Sequence, residues 1–301
     1  RSMDRRSSRL GRAARKKAVG GRAQQLTTGV SWRNRGVVAL FRHEGPSRSP
    51  RKNAVLAAYL AAVAGFVNSG GVLVIGSFTS HVTGSMGRFA NDVANRDLRA
   101  ALLALFLVLA FFCGAVVASL IVELRVRTRP VAYGFALLAE SALLFGFLIA
   151  AGYDRSTATH IHDLQAALLC CAMGMQNSLV TRLSGAVVRT THLTGVITDL
   201  GIEAAHWLRW LRLRARARIG RGSVPPRHPP RAKSLLLLTI VWSFLVGSVA
   251  GASMTLRLQL WAMAVPAAAI LCASAYAFIS ARAPAETTRR TRPSGRPSAA
   301  P

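Results

Sequence analysis

The chain has 301 residues, of which 51% are apolar, and it carries a formal net charge of +28. Its apolar residues are concentrated in nearly uncharged runs of about 20 or more residues, which match the roughly 30 Å hydrocarbon thickness of a bilayer. Buried helices of a soluble domain would instead show amphipathic faces, with polar breaks about every 10 to 15 residues. The composition therefore excludes a soluble globular fold and predicts an all-α, polytopic membrane protein.

The positive charge lies outside the apolar runs, in residues 1–52, 209–233 and 282–296. Lys and Arg gather in cytoplasmic loops and are attracted by anionic lipid headgroups. The charge therefore predicts membrane topology and contact with anionic lipids, and no nucleic-acid partner. Residues 1–52 and 281–301 are predicted to be disordered cytoplasmic tails. The four cysteines lie in apolar runs without metal-ligand spacing, so no metal or cofactor is predicted.

Six apolar segments are predicted to cross the membrane with a cytoplasmic start. They are residues 53–75, 101–122, 131–151, 164–180, 234–256 and 258–280. Two further segments, residues 78–94 and 190–208, are different, because they are short, charged and rich in Gly, Ser and Thr. The chain then divides into a first membrane repeat, 53–151, and a second, 152–280, which contains the Arg-rich cytoplasmic insert 209–233.

The charges of the loops indicate that the two polar segments do not cross. The N-terminal tail and the loop 125–129 are both basic and should both be cytoplasmic, which allows two crossings between them but not three. The same count applies between the weakly charged loop 152–163 and the basic insert 209–233. The prediction is six spans in two inverted repeats with both termini cytoplasmic. In the alternative, both segments cross, the spans number eight, and the halves are parallel.

Each polar segment carries a copy of one motif. It reads Thr-Ser-His-Val-Thr-Gly at residues 79–84 and Thr-Thr-His-Leu-Thr-Gly at residues 190–195, each after an Asn-Ser pair. A weaker echo is Phe-x-x-Gly at residues 111–114 and 244–247. Polar backbone at membrane depth must be enclosed by protein or line an aqueous cavity. Interrupted segments between inverted repeats are typical of transporters.

The motif residues are predicted to line a pathway for a small solute or ion. The candidates are His81, Thr83, Gly84, Asp92, His192, Thr194, Gly195, Asp199 and Glu203. Histidine titrates near neutral pH, and two acids four residues apart can share a proton or bind a cation. Asn68 and Asn177 are predicted to cap or break their helices.

Structural interpretations of the same residues stay open. The motif is also typical of helix packing, Arg88 and Asp92 of a neutralising ion pair, and Asp199 with Glu203 of solvated side chains at the cytoplasmic interface. Residues 209–221 interleave Trp and Leu with Arg, which is typical of an amphipathic helix on the inner leaflet.

Glu140 is a lone carboxylate in the middle of the third span. A charge at the bilayer centre costs about 3 kcal/mol on insertion scales. We therefore expect Glu140 to be protonated or to face a partner. It has no counterpart in the last span.

The paired motifs resemble the YoaK-type family of bacterial multi-pass membrane proteins. The resemblance rests on Gly-Phe-Val-Asn at 65–68 with the first motif copy, and on Gly-Met-Gln-Asn-Ser at 174–178 with the second. It extends over about residues 53–280. The family is described by a domain of unknown function, so the resemblance implies localisation and architecture and no activity. The family often has Asn after each Thr-Gly, where this chain has Ser85 and Val196.

No hydrolase, metalloprotease or nucleotide-binding signature is present, so we predict that the chain is not an enzyme. The predicted function is an inner-membrane transporter or channel for a small solute or ion. The alternative is a membrane scaffold or sensor whose basic arms bind anionic lipid or nucleic acid. A homo-oligomer is compatible with both.

Overall fold

The computed structural model describes residues 50–76, 78–124, 129–151, 159–184, 193–219 and 228–282. All regular structure in these ranges is helical, which confirms the predicted all-α class. The helices are α1 (Pro50–Ile75), α2 (Val82–Ala94), α3 (Leu98–Leu124), α4 (Arg129–Ala151), α5 (Thr159–Ser184), α6 (Leu193–Arg218), α7 (Arg231–Leu258) and α8 (Ala264–Arg282), with a 3-10 turn (Gln259–Met263) between the last two. The predicted tails and the loop 125–128 lie almost entirely outside these residues.

Four stretches in the described part of the chain are long and apolar enough to cross a membrane. They are Ala54–Ile75, Leu98–Leu124, Arg129–Ala150 and Arg231–Arg282. The first three coincide with the first three predicted spans. The last is 52 residues long, which is more than twice the roughly 20 residues that one crossing needs, and it contains both of the last two predicted spans. The chain is therefore a polytopic helical membrane protein.

The outer surface of the helices is apolar, as a lipid-facing surface must be. Leu102, Phe106 and Leu109 are exposed along α3, and Trp242 and Val249 are exposed along α7. Exposed apolar patches of this extent mark membrane or protein contacts. The interior of the bundle is formed instead by apolar side chains of α1, α4 and α5, with contributions from α7 and α8.

Two helix pairs pack through glycines. Helix α1 lies along α7, where a Cβ added to Gly65 would overlap the carbonyl oxygen of Phe244, and one added to Gly247 would overlap that of Ala62. Small residues let helix backbones approach closely in a membrane, where dispersion contacts and weak hydrogen bonds drive association.

Helix α3 lies along α5 in the same way. A Cβ added to Gly114 would overlap the carbonyl oxygen of Cys171, and one added to Gly174 would overlap that of Phe111. The same spacing occurs in both pairs. Each glycine faces a carbonyl group of the neighbouring helix, and that carbonyl belongs to the residue three positions before the neighbouring helix's own glycine. The Phe-x-x-Gly echo in the sequence thus marks the two closest helix contacts.

Helix α4 packs against α8 through a reciprocal pair of hydrogen bonds. The Ser141 hydroxyl donates to the carbonyl oxygen of Ala267 at 3.0 Å. The Ser274 hydroxyl donates to the carbonyl oxygen of Gly134 at 2.8 Å. The sequence offset that relates Gly134 to Ala267 also relates Ser141 to Ser274.

Three sequence-based expectations about helix ends differ from the structure. Asn68 and Asn177 do not break their helices, because α1 continues to Ile75 and α5 to Ser184. The second polar segment is not short either, since α6 runs for 26 residues from the motif into the Arg-rich insert. The first polar segment does form a short helix, α2, of 13 residues.

Candidate functional site

The start of the first motif is anchored to the bundle. Thr79 is only 2% exposed, and its methyl group packs on Gly71, where an added Cβ would lie 3.0 Å from it. The Ser80 hydroxyl donates a hydrogen bond to the side-chain oxygen of Asn68 at 3.0 Å. Asn68 therefore holds the motif against α1, and this bond explains why an amide is tolerated inside that helix.

The histidine and the glycine of the motif are packed together. A Cβ on Gly84 would overlap the imidazole of His81, and the ring carbon Cε1 would lie 2.8 Å from it. The same imidazole meets the Phe78 ring edge-to-face, with 6.0 Å between the ring centroids. The spacing His-x-x-Gly thus has a local cause: the glycine leaves room for the histidine ring over the first turn of α2.

These residues border a cavity of about 190 Å³. Its lining consists of Gly76, Phe78, His81, Gly84, Ser85 and Arg88. An Arg88 nitrogen donates to the carbonyl oxygen of Gly76 at 3.4 Å, and Gly76 has a φ of 69°, a left-handed conformation in which glycine leaves α1 without strain. A benzene-sized molecule occupies an engineered protein cavity of about 150 Å³, so this cavity is large enough for a small solute.

Helix α2 cannot cross the membrane by itself. Its 13 residues span about 20 Å, which is less than the roughly 30 Å of hydrocarbon. It has no buried residue and packs on α3. Thr83 is exposed and Asp92 is partly exposed on this helix, and neither lines the cavity.

The second motif is described only in part. His192 lies outside the described residues. Thr194 and Gly195 are exposed in the first turn of α6, where Thr194 accepts a hydrogen bond from the Thr198 hydroxyl at 2.9 Å. A Cβ added to Gly195 would meet no atom of the described residues within 4 Å. Helix α6 packs mainly on α7, so the two motif helices are not brought together by the packing of their described residues.

The acids of the second motif are held by a lysine. Glu203 is buried, and one of its oxygens lies 2.8 Å from the amine of Lys233 at the start of α7. The other oxygen has no hydrogen-bond partner in the described part of the chain. Asp199 is exposed one turn earlier, and its charge also acts on Lys233. The ion pair between Glu203 and Lys233 fastens α6 to α7.

A polar ladder beside Asn177 joins α5 to α3. The hydroxyls of Ser178 and Ser119 lie 2.8 Å apart. The Arg182 side chain donates to the Ser119 hydroxyl at 3.4 Å and forms an ion pair with Glu123. Asn177 itself is 8% exposed, so it belongs to a packed helix interface.

Glu140 was singled out from the sequence but was not placed in the predicted pathway. It is 0% exposed, and neither of its carboxylate oxygens has a hydrogen-bond partner among the described residues. The signal for it was one acid within an otherwise apolar run. Within the described ranges, no group of three or more His, Cys, Asp or Glu residues could hold a metal ion.

Comparison with known proteins agrees with this architecture. A family model described as "Protein of unknown function (DUF1275)" matches residues 56–276. The curated UPF0700 transmembrane protein YoaK of Bacillus subtilis (strain 168) is 29% identical over 147 residues, which are 48% of this chain and 64% of that protein. The chain therefore matches a little under two thirds of that relative's length. No solved structure matches the chain. The predicted YoaK-type family is confirmed.

Proposed function

The chain belongs to the DUF1275 family, whose function is unknown, and from that premise we propose that it passes a small solute or ion across the membrane between two inverted halves. The proposed halves are α1 with α3 and α4, and α5 with α7 and α8. We place the protein in the inner membrane with both termini cytoplasmic. The proposed solute contact is the cavity that His81, Gly84 and Arg88 border.

The exchanged pairing of the helices carries this proposal. If α1 corresponds to α5 and α3 to α7, a two-fold axis that relates the halves must convert the α1–α7 contact into the α5–α3 contact. The closest approaches agree, because Gly65 and Gly247 occupy the first contact as Gly174 and Gly114 occupy the second. Each helix pair contains one helix from each half, so the halves interlock rather than lie side by side.

The contact between α4 and α8 supports the same axis. A two-fold axis at this interface must generate each interaction twice, with the roles of the helices reversed. The bond from Ser141 to Ala267 and the bond from Ser274 to Gly134 are related in this way. Each half has three helices, and three crossings bring the chain to the other side of the membrane. The second half therefore starts on the opposite side from the first and has the opposite orientation, as in many secondary transporters.

Helix α5 must cross the membrane for this arrangement to hold, although it is the most polar of the proposed spans. Its polar side chains face protein. Gln165 and Gln176 are buried, and the Gln176 amide donates to the carbonyl oxygen of Leu60 on α1 at 3.4 Å. A span enclosed by α1, α3 and α4 needs less apolar surface than one that faces lipid.

Sidedness of single cysteines tests the inverted topology. In a variant without the native cysteines, a cysteine at Asn95, which is exposed after α2, should react with a membrane-impermeant maleimide from outside. A cysteine at Arg216 on α6 should react only after the membrane is opened. Labelling of the Asn95 position from inside would favour eight spans and parallel halves, and it would overturn the inverted arrangement.

Flux through reconstituted vesicles tests transport itself. The probes are radiolabelled inorganic phosphate, acetate, glycine and rubidium, each measured against empty vesicles. We expect one of these classes to enter, and His81→Ala to reduce its entry at least tenfold. The matched control is His162→Ala, because His162 is exposed at the start of α5 and is outside the cavity. No uptake of any probe by the wild type, or equal loss in both variants, would count against the proposed pathway.

A membrane scaffold or sensor is the second candidate, and an aromatic and basic surface on α6 favours it. The Arg214 guanidinium lies 5.0 Å from the centre of the Trp210 ring, and that of Arg231 lies 6.0 Å from Trp207. Trp207 also donates to the Ser234 hydroxyl at 3.2 Å. Such a surface suits anionic headgroups.

Quenching of tryptophan fluorescence by brominated lipids tests this second candidate. In nanodiscs, brominated phosphatidylglycerol should quench more strongly than brominated phosphatidylcholine, and Arg214→Gln should remove the difference. Equal quenching by the two lipids in the wild type would contradict an anionic-lipid role for this surface.

A further inference from the structure

Glu140 lies in the middle of α4, at the contact with α8. Its neighbour Ser141 donates to Ala267 on α8. The Glu140 side chain is completely buried, and neither carboxylate oxygen has a hydrogen-bond partner in the described helices. Buried polar groups in proteins are normally hydrogen-bonded, so an acid with two unused oxygens in a packed interface needs a separate explanation.

Glu140 forms no ion pair with the described residues. From α1, the Tyr59 hydroxyl lies within electrostatic range of Glu140, and from α8, the Cys272 thiol lies within range of Tyr59. The Tyr59 hydroxyl donates to the carbonyl oxygen of Ala269 on α8. Among the described residues of α3, α5 and the 3-10 turn, none forms an ion pair with Glu140.

These surroundings decide the state of the carboxyl group. A charge at this depth costs about 3 kcal/mol on insertion scales, and more in simulations of isolated helices. With no cation or hydrogen-bond donor to offset that cost, the neutral carboxylic acid is favoured. Glu203, the other buried acid in the described part of the chain, differs because Lys233 compensates its charge.

Packing does not require an acid at this position. The offset that relates Gly134 to Ala267 and Ser141 to Ser274 makes Ala273 the residue of α8 that corresponds to Glu140. The same interface therefore closes with an alanine on one helix and a glutamate on the other. An acid inside the membrane costs free energy, and the alanine at the corresponding position shows that packing does not need it. The Glu140 carboxyl group therefore indicates a function in the membrane.

We propose that Glu140 is the proton-binding site of the transport cycle, and this inference rests on the proposed function. In the conformation described here, the carboxyl group holds its proton. When α1 and α8 separate and water reaches the site, the O–H bond breaks and the proton passes to that water, leaving a carboxylate. The helices then open the site to the opposite side, where the carboxylate takes a proton from water and becomes the neutral acid again. Tyr59, which joins α1 to α8 through its bond to Ala269, is the positioning residue that we assign to the closed site.

Infrared difference spectroscopy tests the protonation without relying on transport. The spectrum of the wild type minus that of Glu140→Gln should contain the C=O stretching band of a protonated carboxyl group at neutral pH. Glu123→Gln is the control, since Glu123 is exposed and paired with Arg182, and its difference spectrum should show carboxylate bands. Gln matches neutral Glu in size, so we expect Glu140→Gln to unfold at the wild-type temperature. Carboxylate bands from Glu140, or a shift of its band on addition of sodium, would overturn the proton assignment.

Proton flux separates this proposal from the proposed function. Vesicles that contain the full chain and a trapped pH dye are driven by a potassium gradient with valinomycin. We expect proton entry in the wild type, a loss of at least tenfold in Glu140→Gln, and normal entry in Glu123→Gln. Solute flux that persists in Glu140→Gln with unchanged pH dependence would overturn the role of Glu140 and leave transport standing. A carboxylic-acid band with no solute flux and no proton flux in the wild type would overturn transport.

Discussion

The glycines at the two exchanged helix contacts give the sharpest test of the fold. Replacement of Gly174 by alanine places a methyl group on the carbonyl oxygen of Phe111. That oxygen belongs to the backbone of α3 and cannot rotate away, so the two helices must move apart. Gly146 on α4 is the matched control, because a Cβ there would meet only a Leu168 methyl carbon at 3.9 Å, an ordinary contact.

The expected magnitude follows from two opposed terms. Overpacking of an interface costs about 1–3 kcal/mol. Alanine in place of glycine gains about 0.5–1 kcal/mol in helix stability. We therefore expect Gly174→Ala to lower the free energy of unfolding by about 1–2 kcal/mol, and Gly146→Ala to leave it unchanged or raise it by less than about 1 kcal/mol. Gly65→Ala, at the contact of α1 with α7, should match Gly174→Ala.

Double substitutions distinguish one interface from two. Gly114→Ala combined with Gly174→Ala should cost less than the sum of the single changes, because the first methyl group already separates α3 from α5. Gly65→Ala combined with Gly174→Ala should be additive within about 0.5 kcal/mol, since these glycines serve different interfaces. Unfolding in mixed micelles by increasing denaturing detergent, followed by circular dichroism, measures these energies. Equal effects at Gly174 and Gly146 would refute the close helix contacts.

Three further predictions concern other contacts. Gly84→Ala should displace the His81 ring and reduce solute flux at least threefold, whereas Gly87→Ala, whose added Cβ meets nothing within 4 Å, should not; vesicle uptake decides this. Ser141→Ala and Ser274→Ala each remove one of two equivalent bonds, so detergent unfolding should give equal losses of about 1 kcal/mol; unequal losses would argue against the two-fold relation. Lys233→Met leaves a buried carboxylate unpaired and should cost about 2 kcal/mol, and a neutral amide at that acid should restore stability in the double variant, as measured by thermal unfolding.

Much of the fold could be predicted from the sequence, because the spans are set by length and hydropathy alone. Helices α1, α3 and α4 begin and end within a few residues of the predicted spans. Asn68 was misleading because a single polar residue says nothing about its partner. The Ser80 hydroxyl satisfies its side chain, so α1 has no reason to end there. Tertiary context of this kind is invisible in the residues next to Asn68.

The second motif was harder to predict for a local reason. Residues 202–218 contain no glycine or proline and are rich in Ala, Leu and Arg, which are strong helix formers. Charge and hydropathy divided this part of the sequence into a motif segment, 190–208, and an Arg-rich insert, 209–233. Neither property, however, makes a helix end at the boundary between them. The chain therefore continues as α6 from Leu193 to Arg218. Glu203 was predicted to share a proton or bind a cation with Asp199, and its pairing with Lys233 could not be foreseen because that lysine lies on the next helix.

The close helix contacts recur in both proposed halves, but the polar side chains near them differ between the halves. This difference bears on mechanism. In the proposed alignment of the halves, Glu140 corresponds to Ala273, so only one of the two positions carries an acid. In the proposed arrangement, packing constrains both halves equally, because each close contact uses one helix from each half. Polar groups in a membrane are costly, so they persist only where they act. The two proposed halves therefore share their helix contacts, and the solute cavity and the proton-binding acid that we propose both lie in the first.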